Sequence, residues 1–173
     1  MMGVKVNSFS DASKTIIEFT KDAVKKAESQ MDSRSFRAAN ELTNATMMVL
    51  RGQRAGRIYN MPGTGRTKIQ KRKGKSKVIY KKYQASAPGE APANRTGGFR
   101  QSWKRRTEKE IEANKSVYRS QTVSNSMTNG KRKRLLGEIL EDGTKNMAPR
   151  PYHNKVLEKA KRKALAIFKE PYL

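Results

Sequence analysis

The chain has 173 residues, 35% of them hydrophobic and 31% charged, which is the length of one domain with a thin apolar stock; one small core with long solvated excursions is expected. Its 39 Lys and Arg against 15 Asp and Glu give a formal charge of +24, more than solubility needs, and imply a polyanionic neighbour with nucleic acid as first candidate and an acidic protein as the other. The absence of Cys excludes disulfides, thiol catalysis and Cys-based zinc sites, and the single His153 cannot build a histidine cluster, so no cofactor, metal site or enzymatic centre is expected.

Residues 1–7 read as a loose arm without the apolar centre of a signal peptide, and no run of about 18 apolar residues follows that could span a bilayer. A soluble protein made in the cytoplasm is expected. Ser8 and Ser10 offer helix N-caps, and Asp11 suits a first turn. Ala12, Ile16, Phe19, Ala23, Ala27 and Met31 then recur at helical spacing, predicting an amphipathic helix whose stripe faces the core. Asp32 or Ser33 is read as the break before a second helix carrying Ala38, Leu42, Ala45 and Val49, with Met47 and Met48 also in the core. The two helices are expected to form an antiparallel hairpin.

From residue 51 to 82 the composition changes. Arg51, Arg54, Arg57, Arg66, Lys68, Lys71, Arg72, Lys73, Lys75, Lys77, Lys81 and Lys82 lie in a stretch with no acid between Glu41 and Glu90. Two β-prone pieces, residues 57–60 and 77–83, predict an extended hairpin with a basic tip, and Tyr59, Tyr80 and Tyr83 add aromatic interleaving. A lone two-stranded hairpin is marginal in water, so it needs a partner to order it. Contact with a polyanion backbone without sequence reading, and docking on an acidic protein, both fit these residues. Gly74-Lys75-Ser76 is not a phosphate loop, since Ile69 stands where the upstream glycine is required.

Residues 85–99 form a Pro and Gly connector whose prolines fix φ and whose glycines permit positive φ, which makes a shaped loop. Phe99 to Ala113 is read as a strand that turns at Asn114-Lys115 into a second strand, Ser116 to Ser124, although a helix over 104–113 also fits. Glu108, Glu110 and Glu112 would share a strand face; interleaved with Arg106 and Lys109, they read as a charged surface rather than a metal-dependent nuclease centre. Residues 125–134 are a polar loop, Leu135 to Leu140 a short apolar run, and Glu138, Glu141 and Asp142 candidates for salt bridges. Pro151 suits the first turn of a terminal helix that packs His153, Leu157, Ala160, Ala164 and Ile167 or Phe168 on one face. The expected fold is α+β: N-terminal helices, a small antiparallel sheet with a long basic hairpin arm, and a C-terminal helix. It forms one domain over 1–173, with 52–98 as the extended arm and connector.

Four phrases along the chain resemble a family of tailed-phage neck proteins, the tail-completion or head-tail joining proteins of lambdoid siphophages. They are Ser86-Ala87-Pro88-Gly89-Glu90-Ala91-Pro92, Thr96-Gly97-Gly98-Phe99, Glu141-Asp142-Gly143-Thr144 and Met147-Ala148-Pro149-Arg150-Pro151-Tyr152, in the family's order and spacing over about residues 35 to 170. Phe99 takes a place where Leu is usual, Asp142 one where an aromatic is common, and the basic arm is longer. The resemblance marks Pro88, Gly89, Glu90, Pro92, Gly97, Glu141, Gly143, Thr144, Pro149, Arg150 and Pro151 as structural motif residues. It implies a non-enzymatic virion protein: a homo-oligomeric, hexameric ring between head-closure or connector proteins and tail terminator or tail tube proteins, with DNA passing close by. The alternative reading is a monomeric basic nucleic-acid-binding protein of ribosomal or nucleoid type.

Overall fold

The computed structural model describes residues 9–61, 68–72, 75–93, 95–112, 115–128 and 135–172. It is an α+β fold. One long helix, α1 (Phe9–Arg51), is followed by β1 (Ile58–Asn60), β2 (Lys68–Arg72), β3 (Lys75–Ile79) and β4 (Lys82–Gln84). The short helix α2 (Gly98–Gln101), strands β5 (Trp103–Glu112) and β6 (Lys115–Ser124), and helices α3 (Leu136–Asp142) and α4 (His153–Phe168) complete it.

The expected helical hairpin is absent: Asp32 and Ser33 lie inside one 43-residue helix. A capping residue ends a helix only where the backbone turns away, and no Gly or Pro occurs between Phe9 and Arg51 to make it turn. Asp11 does occupy the first turn. Ser10 is helical rather than a cap, and Ser8 lies outside the described residues.

The C-terminal half of α1 packs against α4 on one side and against the β5-β6 hairpin on another. Ala45 and Leu50 join Ala91, Trp103, Tyr152, Val156 and Ala160 in the core, with Leu42, Met47, Val49, Phe99 and Leu140 against them. Met48, expected inside, faces solvent. The stripe in the first half of α1, also expected to face the core, is open: Ile16 is 63% and Phe19 76% exposed.

β5 and β6 are antiparallel, from Trp103↔Ser124 to Glu112↔Lys115. This excludes the helical alternative for 104–113. The expected first strand is shortened, because Phe99 and Gln101 belong to α2, which Gly97 enters at φ 89. Lys115 is a strand residue and not part of the turn, while Asn114 lies outside the described residues. The face towards α1 carries Ser116, Ser120 and Thr122, bonded to Glu28, Ser35 and Thr43. Glu108 and Glu110 lie on the other face.

The apolar run after residue 135 is helix α3, and α4 begins at His153, two residues after Pro151. Its buried stripe is Val156, Ala160 and Ile167; His153 and Leu157, expected to face inward, are exposed. Two side chains of α1 fix the segment beyond α4. Arg37 forms a two-pronged pair with Glu170 at 2.5 and 2.7 Å, and the buried Arg34 donates to the carbonyl of Pro171 at 2.7 Å.

Candidate functional site

The connector and the C-terminal turn, more than 50 residues apart, are bonded into one unit centred on Arg150. Proline-rich turns carry a surplus of carbonyls, because each proline brings an acceptor and no N–H. A guanidinium with its fork of donors is the natural complement. Arg150 donates to the carbonyl and hydroxyl of Ser86 and towards the Ala87 carbonyl. Gly89 N–H donates to the Pro149 carbonyl at 3.2 Å, and Lys155 reaches the Gly89 carbonyl at 2.9 Å. The connector is thus part of the packed body, with Ser86, Ala91 and Pro92 buried.

Two acids anchor the same unit by accepting backbone N–H groups. The Glu90 carboxylate takes those of Ala87 at 2.8 Å and Ala55 at 3.0 Å, and these bonds hold its pKa below the usual carboxylate value. Glu141 accepts from Tyr152 at 2.9 Å and from His153 at 3.3 Å. It thereby caps the N-terminus of α4 from a different helix, a use of the acid that the expected salt bridge did not include, although His153 Nδ1 also lies 3.6 Å away. Gly143 closes α3 at φ 77, where a Cβ would fall 2.6 Å from the Met147 carbonyl oxygen, so only glycine fits. Beneath this turn Tyr152, 1% exposed, meets Phe99 and Trp103 edge-on with ring centres 5.8 to 6.0 Å away. Burial, then the charges of Glu141 and Glu138, push its phenol pKa up.

The basic arm grows out of this unit. Its base is the β1-β4 pair, with Tyr59 opposite and stacked on Tyr83 at 5.6 Å. Arg57 lies over the Tyr59 ring and Arg95 over the Tyr83 ring. The outer part is the β2-β3 pair, in which Lys68–Arg72, not expected from the sequence to be a strand, pairs with Lys75–Ile79. The expected pairing of residues 57–60 with 77–83 is therefore confined to the base, 58–60 with 82–84, while 75–79 pairs with 68–72. Arg72 and Lys75 are partners in that register.

The twelve basic residues of this stretch divide into different environments. Arg54 is consumed by the fold: it donates to the carbonyls of Val49, Gly52, Gln53 and Pro92, closing the C-terminus of α1, and burial lowers its pKa. Arg51, Arg57, Lys81 and Lys82 are exposed. Lys68, Lys71, Arg72, Lys75 and Lys77 lie on β2 and β3, while Arg66 and Lys73 lie outside the described residues.

Of the alternating acids on β5, Glu108 pairs with Arg106 at 2.8 Å and Gln121 at 3.1 Å, and Glu110 with Arg119 at 2.5 Å. Among the described residues no group of three or more His, Asp or Glu is placed to hold a metal ion. No described helix is long and apolar enough to cross a membrane. The aromatic triangle and the Arg150 to Ser86 bridge were not foreseen. The available signal was a Tyr next to a Pro-Arg-Pro turn, which marks an anchor only once the partner turn is known. Comparisons with protein-family models, with curated proteins and with solved structures returned no match to this chain.

Proposed function

We propose that this chain is a non-enzymatic structural protein of the phage neck, a subunit of a homo-oligomeric ring that joins the head connector to the tail and surrounds the DNA path. The observation that carries the reading is the convergence of the neck-family phrases. The residues 86–92 phrase and the residues 141–152 phrases are joined through Arg150, Gly89 and Pro149, with Phe99 packed on Tyr152, so segments separate in sequence act as one structural unit. Charge agrees with it: several copies of a +24 chain around a duplex line its path with cations. The basic arm, joined to that unit through the β1-β4 pair and without the Arg54 that the fold uses, is the surface for the polyanion or for an acidic face of an adjoining ring.

Particles assembled without this protein provide the test. Adding the purified wild-type chain to DNA-filled heads and free tails should produce joined particles, and the joined fraction should not rise if the reading is wrong. The charge of +24 and the acid-free stretch between Glu41 and Glu90 also support a second reading, a monomeric nucleic-acid-binding protein of ribosomal or nucleoid type. It predicts tight, salt-sensitive DNA binding by a protein that stays monomeric with heads and tails present.

A further inference from the structure

The N-terminal half of α1 departs from the basic character of the chain as a whole. Residues 9–32 hold five of the 15 acids and only four of the 39 Lys and Arg. A second copy meets a nearly neutral rod here instead of the concentrated like charge of the arm. Residues 9–27, about 28 Å of helix at 1.5 Å per residue, precede Glu28, the first anchor of α1 on the β5-β6 hairpin through Lys109 at 3.1 Å. Ile16 and Phe19, three residues apart and therefore neighbours on one helix face, are both more than half exposed there, an apolar ridge of the kind that marks an interaction surface. Glu18 and Asp22, one helical step apart, form an acidic edge beside Phe19.

The same chain carries the complementary shape. An open groove of about 460 Å³ runs beside the connector, walled by Phe99, Met127, Leu136 and Leu140 with Arg95 and Arg150 on its lining; among the described residues no acid lines it. We infer that the α1 ridge of one copy docks in this groove of a second copy, Phe19 and Ile16 entering between the apolar walls and the acidic edge facing Arg95. Helix-in-groove recognition uses anchors spaced in this way. Ridge and groove are different surfaces, so the contact is head-to-tail: it continues from copy to copy rather than stopping at a dimer, and gives a ring where the rotation between neighbours closes. The inference rests on the ring-subunit reading and sharpens it by naming the contact.

The experiment follows mass against concentration for the wild type and Phe19→Asp. Phe19 is exposed, so the variant should keep its helical circular dichroism while its self-association weakens roughly tenfold or more. The chain has no cysteine, so mixing Phe19→Cys protein with Met127→Cys protein under mild oxidation should give the mixed disulfide dimer as the main cross-linked product. The inference is overturned by a wild type that stays monomeric to its solubility limit, by Phe19→Asp associating as the wild type does, or by Phe19→Cys pairing mainly with itself, which would mean that two α1 ridges pack together. Failure of the neck reading looks different: the wild type self-associates and cross-links as described yet joins no heads to tails. Conversely, Phe19→Asp protein that joins them as well as the wild type would remove the ridge contact and leave the neck reading in place.

Discussion

The turn unit and the arm draw on the same residue types and use them in opposite ways. Arg54 and Arg150 have backbone carbonyls as partners, whereas Arg57, three residues after Arg54, and Lys81 and Lys82 on the opposite side of the arm's base stand in solvent. What separates them is the local supply of acceptors. Proline turns and a helix C-terminus leave carbonyls without donors, and the nearest guanidinium is drawn in to satisfy them. A strand pair spends its carbonyls on its own ladder, so the cations on it remain available. A chain of charge +24 therefore contains structural and available cations that composition cannot tell apart.

The comparison breaks most visibly at Tyr152. Truncation to Ala empties the space between Phe99, Trp103 and α3, and should cost about 3–5 kcal/mol, read as a lowered urea midpoint. A loss below about 1 kcal/mol would mean that the turn unit is not the stability centre. Arg150→Met should cost about 2–3 kcal/mol, since it strands the Ser86 and Ala87 carbonyls. Arg57→Met should stay within about 0.5 kcal/mol of the wild type. Equal losses for the two arginines would erase the distinction between spent and available cations.

Much of this division was legible in the sequence, and the part that was not has a physical cause. The acid-free arm, the β5-β6 hairpin and the connector as a shaped loop follow from local composition and turn chemistry. The single α1 did not, because Asp32 and Ser33 have the same composition whether they cap a helix or ride on one. The exposed face at Ile16 and Phe19 was misplaced for a related reason: periodicity reports that a helix has an apolar face, not which molecule covers it. Arg54 and Arg150 were identified, yet their contacts span residues brought together only by the fold, as Arg150 and Ser86 are.

Acid should loosen the turn unit before it affects the arm. The pKa of Glu90 is depressed in the folded chain by the N–H groups of Ala55 and Ala87. Its contribution to stability is therefore fully present above the unfolded carboxylate value of about 4.3 and is lost as the pH falls through the lower folded value. Melting temperature should fall more steeply with acidification in the wild type than in Glu90→Gln, which has no carboxylate to titrate. Parallel acid limbs would show that the Glu90 bonds contribute little.

The smallest effect on stability belongs to the arm. Changing Lys71, Arg72, Lys73 and Lys75 together to Gln should leave the urea midpoint within about 0.5 kcal/mol of the wild type, since β2 and β3 pair with each other and not with the core. The same change separates the two partners proposed for the arm. If the arm lies along duplex DNA, each phosphate contact contributes about 0.9 to the fall of log affinity with log salt, so removing four cations should flatten that slope by up to roughly 3.6, equally for all sequences. If it docks on an acidic protein face instead, the salt slope for DNA should hardly change while the joining of tails to heads fails. A quadruple variant normal in both respects would confine function to the turn unit and the surfaces beside it, and would leave the cations of the arm without a role in assembly.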